Sequence, residues 1–159
     1  MAKRITLYGI LAALCMVLSY VEQLIPFDFL APGIKLGMSN SIALILVLKG
    51  DIKGAFGVNI VRIILSVLLF SAPSTLMYSL PAGVVSVFGM AVLSRFGSFG
   101  AVGLSVFGAA IHNITQLLIA FLMLGKGVLY YTPYLLVSAV ISGGLTGFLA
   151  ELTFKRVKF

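Results

Sequence analysis

The chain has 159 residues, of which 61% are apolar and 9% charged, with a mean hydropathy of +1.20. Soluble domains carry roughly a quarter of their residues as charges. This composition therefore excludes an ordinary soluble fold and indicates one integral membrane unit, long enough for about six spans of some 20 residues. Eleven Lys and Arg face four Asp and Glu, but the cations stand at the ends of apolar runs. The positive-inside rule accounts for that placement, and no nucleic-acid partner is expected.

The first apolar segment, residues 5–25, follows a basic MAKR start. No small-residue cleavage site follows cleanly and further spans do, so it reads as a retained helix rather than a leader. Its lone Cys15 excludes an intrachain disulfide. Gly9 and Ala13, spaced i,i+4, with Ala12 beside them, form a small-residue face suited to close helix packing. The loop EQLIPFDFLAPGIK comes next, with a Pro32-Gly33 turn and acidic Glu22 and Asp28. It reads either as a lid over the bundle or as an interfacial loop anchored by aromatics.

The second segment, residues 36–48, is short for a bilayer and carries Asn40. The third, 54–70, holds Asn59 and Arg62 at i,i+3, on one face. A guanidinium near mid-span costs at least about 2.5–3.5 kcal/mol on insertion scales, so it requires a partner. The sequence offers Glu22 and Asp28 at one edge of the bundle and Asp51 and Glu151 at the other. Backbone carbonyls, neighbouring amides, an anionic ligand or an acid from a partner protein are the remaining options.

The fourth segment spans residues 76–94 and the fifth 100–124. The fifth contains GAAIHNITQLLIA, in which His112 and Gln116 are i,i+4 and Asn113 and Gln116 are i,i+3. The sixth, 128–154, carries a GxxxG at Gly143 and Gly147, read mainly as internal packing. Isolated runs such as 63–70 have strand composition, but backbone groups in lipid must pair within the segment, which favours helices. The expected fold is all-α, a polytopic bundle of six transmembrane helices forming one domain over residues 1–159.

With the N-terminus in the cytoplasm, Lys3, Arg4, Lys49, Lys53, Arg95, Lys155, Arg156 and Lys158 fall inside and Lys35 and Lys126 outside. That bias places both termini in the cytoplasm of a prokaryotic cell membrane. Asn40, Asn59, Arg62, His112, Asn113 and Gln116 are expected to face a common polar pocket. The alternative is that they tie helices together without a ligand. One histidine and one cysteine make a poor metal shell. No acidic DDxxD-like run, P-loop or Ser/His/Asp set occurs, so neither catalysis nor a bound cofactor is expected.

Three segments, PGIKLGMSNSIAL (residues 32–44), NIVRIILSVLLF (59–70) and GAAIHNITQLLIA (108–120), resemble the Gx transporter family, also called heptaprenyl diphosphate synthase component I. The likeness covers nearly the whole chain and rests on the PGxKLG-x-x-N and HNxxQ elements taken together. That family in turn resembles the substrate-binding S components of energy-coupling factor transporters. These are six-helix proteins that take small molecules from outside and work with a membrane coupling protein and ATPases. The resemblance implies that Gly9, Ala12 and Ala13 are an imperfect counterpart of the small-residue surface that meets the coupling protein. It also implies a polar or anionic ligand at the six residues, with Arg62 taking its negative group. Some relatives are linked to flavin-based electron transfer beside an extracytoplasmic flavoprotein, which leaves a flavin- or quinone-linked role as an alternative. A non-catalytic subunit in prenyl diphosphate or quinone metabolism is the other alternative, because the acidic metal-binding machinery of prenyl transfer is missing.

Overall fold

A computed structural model describes residues 2–24, 37–97 and 99–156. The outer loop, with Asp28, Lys35 and the Pro32-Gly33 turn, lies outside the described residues, as does Lys158. The six α-helices are α1 (Ala2–Leu24), α2 (Asn40–Leu48), α3 (Ile52–Phe70), α4 (Thr75–Ser94), α5 (Ala101–Leu124) and α6 (Thr132–Arg156). A 3-10 helix, Lys126–Tyr131, precedes α6. No strand occurs among the described residues.

Five of the helices are long and apolar enough to cross a membrane. Their outer faces carry Leu68, Phe88, Leu118 and Leu122, all largely exposed. In water such a surface would drive aggregation, whereas in a bilayer it is the lipid face. The chain is thus an all-α, multi-pass membrane protein.

The exception is α2. The expected second span began at residue 36, but the helix starts at Asn40 and has nine residues, a rise of about 13 Å. Its start lies at the middle of α1, because the Cys15 thiol approaches the Ser39 carbonyl at 3.6 Å. Its end lies near the start of α1, where the Tyr8 hydroxyl donates to Asp51 at 2.5 Å. α2 is therefore a half-length helix running antiparallel to α1. It is also the most enclosed element, with six of its nine residues buried. It packs against all five other α-helices, which stand around it in the order α1, α3, α4, α5, α6.

Local chemistry sets the turns. Gly50, at φ 76°, takes the left-handed conformation that reverses the chain between α2 and α3. Asp51 then caps α3 by accepting from the Gly54 N–H at 3.0 Å. Because the long helices alternate in direction, Lys3, Arg4, Lys49, Lys53, Arg95, Lys155 and Arg156 gather at one end of the bundle. Lys126 and Glu22 lie toward the other.

Small residues bring α5 and α6 together. A Cβ added at Gly147 would lie 2.6 Å from the Val102 Cα, and one at Gly143 would lie 2.7 Å from the Val106 Cα. The GxxxG thus works inside the bundle, where backbone meets backbone.

Candidate functional site

The polar residues of the bundle fall into two groups. The first joins α1, α2 and α3. The Arg62 Nη1 donates to the Ser39 hydroxyl at 2.8 Å, and its Nη2 donates to the Asn59 Oδ1 at 2.9 Å. Ser39 and Asn59 are each 2% exposed. Because a guanidinium has no acceptor, it fixes the Asn59 amide with Oδ1 inward. That leaves the Asn59 Nδ2 and the Arg62 Nε enclosed without a hydrogen-bond partner among the described residues.

Glu22 belongs to this neighbourhood. Its carboxylate accepts from the Met38 N–H, just ahead of α2, and it attracts the Arg62 guanidinium electrostatically. A reading of full-length spans puts Glu22 at the membrane edge, away from a mid-span arginine. The half-length α2 changes that, because its deep start draws the Glu22 side chain inward.

The second group lies on α5 and α6. The Asn113 Nδ2 donates to the Leu135 carbonyl at 2.8 Å and to the Ser138 hydroxyl at 3.2 Å. Asn113 therefore ties α5 to α6. His112 is half-buried and already engaged in an interaction of its own. Gln116 is half-buried one turn further along α5. α3 and α5 do not pack against each other; α2 and α4 stand between them.

Asn40 sits between the groups. It lines a cavity in which about 20 Å³ is open to the centre of a water molecule, together with Ser86, Ser105, Ser142 and Thr146. On α5 the cavity wall is formed by Ser105, Gly108 and Ala109, not by His112 or Gln116. Of the six residues expected at one pocket, the structure joins Asn59 to Arg62, places Asn40 on this cavity and directs Asn113 to α6. Ser39, Glu22 and Ser138, which complete these contacts, were not among the expected residues. Ser39 is adjacent to Asn40 in GMSNS, but a lone serine in a hydrophobic chain carries no distinctive signal.

On α1, Gly9 and Ala13 lie on the exposed face, and nothing approaches the position of a Gly9 Cβ within 4 Å. Ala12 points the other way, into the core, because one residue of α-helix turns the side chain by 100°. The outer small-residue face is therefore Gly9 and Ala13 without Ala12.

Glu22 and Asp51 join separate parts of the bundle, whereas Glu151 makes an exposed i,i+4 pair on α6. Glu22 accepts from the Met38 N–H, Asp51 from Tyr8 and Gly54, and Glu151 from Lys155 at 2.8 Å. No group of three or more His, Cys, Asp or Glu among the described residues can hold a metal ion. The Tyr8 hydroxyl holds the Asp51 carboxyl below its ordinary value, with further help from the Gly54 N–H and Arg4.

A family model described as heptaprenyl diphosphate synthase component I matches residues 11–153. The chain belongs to that family. The matched range includes the half-length helix, the Arg62 cluster and the α5–α6 interface. No curated protein and no solved structure matches the chain.

Proposed function

We propose that this protein is a non-catalytic membrane subunit serving prenyl diphosphate metabolism, and through it quinone synthesis. The observation that carries the reading is the family match across residues 11–153. The engagement of Glu22 and Asp51 in contacts within the bundle accords with a subunit whose catalysis falls to a separate protein. The chemistry of the product gives such a subunit a task. A long prenyl diphosphate has an apolar tail that belongs in lipid and an anionic head that belongs at the surface. The basic end of the bundle, cytoplasmic by the positive-inside rule, is the end at which a soluble synthase would meet both. The test is affinity capture of the tagged protein from its own membranes in mild detergent, followed by assay for prenyl diphosphate synthesis. Activity that co-purifies and extends products supports the reading. Capture that never enriches a prenyltransferase, together with unchanged membrane prenyl products after deletion, overturns it.

One observation favours a second reading, capture of a small anionic or polar molecule by a subunit of the energy-coupling factor S-component kind. The Asn59 Nδ2 and Arg62 Nε are enclosed donors with no acceptor among the described residues, and a ligand oxygen would satisfy them. The internal cavity of about 20 Å³ weighs against this reading, because sites for organic ligands are typically several hundred Å³. Native mass spectrometry of the gently solubilised protein beside Arg62→Ala separates the cases. A discrete ligand lost in the variant supports capture, and undiminished binding in the variant removes Arg62 from the site.

A further inference from the structure

We propose that the basic end of the bundle binds phosphate-bearing lipid headgroups of the membrane leaflet it meets, whichever of the two functional readings holds. Seven cations stand at that end, all of them exposed, against two acids among the described residues. Both acids are already engaged within the chain. Asp51 accepts from the Tyr8 hydroxyl and the Gly54 N–H, and Glu151 pairs with Lys155. An excess of five positive charges among the described residues therefore faces outward. The positive-inside rule explains why these cations share a side, but not what accompanies them. Arg4 stands beside Ile5 at the start of α1, Arg95 beside Phe96 just past α4, and Lys155 beside Phe154 at the end of α6. Ile5 and Phe96 are each 70% exposed, and Phe154 is 43% exposed. Three helix ends thus carry a cation and a large apolar side chain together, where the lipid face ends.

An amphiphile with a phosphate head fits that pairing. Its head accepts charge-assisted hydrogen bonds from the cation, and its chain covers the apolar neighbour and removes it from water. The long stems of Lys and Arg lie along apolar surface and carry their charge to headgroup level. A soluble anion would meet the cations alone and leave Ile5, Phe96 and Phe154 uncovered. Toward the other end the described charges are Lys126 and Glu22, so the preference belongs to one leaflet. Two kinds of lipid share this chemistry, an anionic phospholipid and a prenyl diphosphate.

Native mass spectrometry of the full chain, titrated in detergent, tests this with phosphatidylglycerol and with phosphatidylcholine of the same acyl chains. Phosphatidylglycerol should bind at least about fivefold more tightly, the factor for one Lys or Arg near an anionic surface, and the preference should shrink as salt rises. Equal binding of the two by the wild-type chain overturns the proposal without recourse to any variant. The triple change Arg4→Gln, Arg95→Gln and Lys155→Gln, all at exposed positions, should abolish most of the preference, and Lys126→Gln should retain it. A preference that survives the triple change in a folded protein, or that Lys126→Gln removes, also overturns it. Competition separates the sources. A prenyl diphosphate that displaces phosphatidylglycerol at a lower concentration assigns the basic end to the prenyl lipid, and one that needs a higher concentration assigns it to the phospholipid. Displacement by inorganic pyrophosphate at the same concentration as either lipid would overturn the proposal, because the apolar neighbours would then contribute nothing.

Discussion

Arg62 shows how a buried charge is accommodated when no acid shares its helix. Ser39 and Asn59 each accept one of its N–H groups, and Glu22 supplies the nearby negative charge. Asn59→Ala should destabilise the protein by about 1.5–3 kcal/mol, the range for a hydrogen bond to a charged group. Asn59→Asp should raise the Tm instead, because it sets a carboxylate beside the guanidinium and removes the orphaned amide hydrogens. Thermal denaturation of both variants in one detergent checks the opposite signs. The need for a partner was legible in the sequence, since an arginine near mid-span cannot stand alone. Asn59 and Glu22 were among the partners the sequence offered, but Ser39 was not, because it is 23 residues away and is brought near only by the depth at which α2 begins. The Tyr8–Asp51 clasp gives a second residue-scale expectation. The Asp51 carboxyl is held below its ordinary value of 3.8. Its contribution to stability is therefore complete above that pH and is lost as pH falls through the lowered value. Because Asp51 is only half-buried, at the end of the bundle, the contribution is small. Tyr8→Phe should move the Asp51 titration upward, toward 3.8, as followed by carboxyl NMR.

At the scale of elements, α6 carries its own internal control. Gly147 and Gly143 meet the α5 backbone, whereas Gly144 has nothing within 4 Å of an added Cβ. Gly147→Ala should cost about 1–3 kcal/mol by forcing the helices apart. Gly144→Ala should be neutral or stabilising by up to about 1 kcal/mol, since glycine is the poorer helix residue. Tm values for the pair test whether this GxxxG packs internally. The motif itself was readable, and so were five of the six helices to within a few residues, because apolar runs between charges mark their ends. Helix α2 was the exception. Its apolar run is continuous with residues before Asn40, and composition cannot tell a half-length helix from a short span. The polar residues of α5 show the same limit. HNITQ reads as one patch, yet Asn113 turns toward α6 while the cavity opens one turn earlier, at Ala109. Helical spacing shows which residues share a face, but the neighbour that face meets depends on the whole packing.

At the scale of the molecule, seven cations gather at one end of the bundle, where Asp51 and Glu151 are the described acids. Single cysteines placed at Lys53 and at Lys126, in a Cys15→Ala background, should label from opposite sides of the membrane. Lys53 should react only after the cytoplasmic face is exposed, and the reverse pattern would invert the orientation. The proposed role of this multi-pass bundle, support for prenyl diphosphate synthesis by a separate protein, rests on the family match across residues 11–153. The direct test of that role is to purify the tagged protein from its native membranes and assay the eluate for long-chain prenyl diphosphate synthesis. The chain expressed alone serves as the control. Synthesis in the native complex and none from the chain alone is the expected result. Synthesis by the isolated chain, or a native complex devoid of it, would contradict the account.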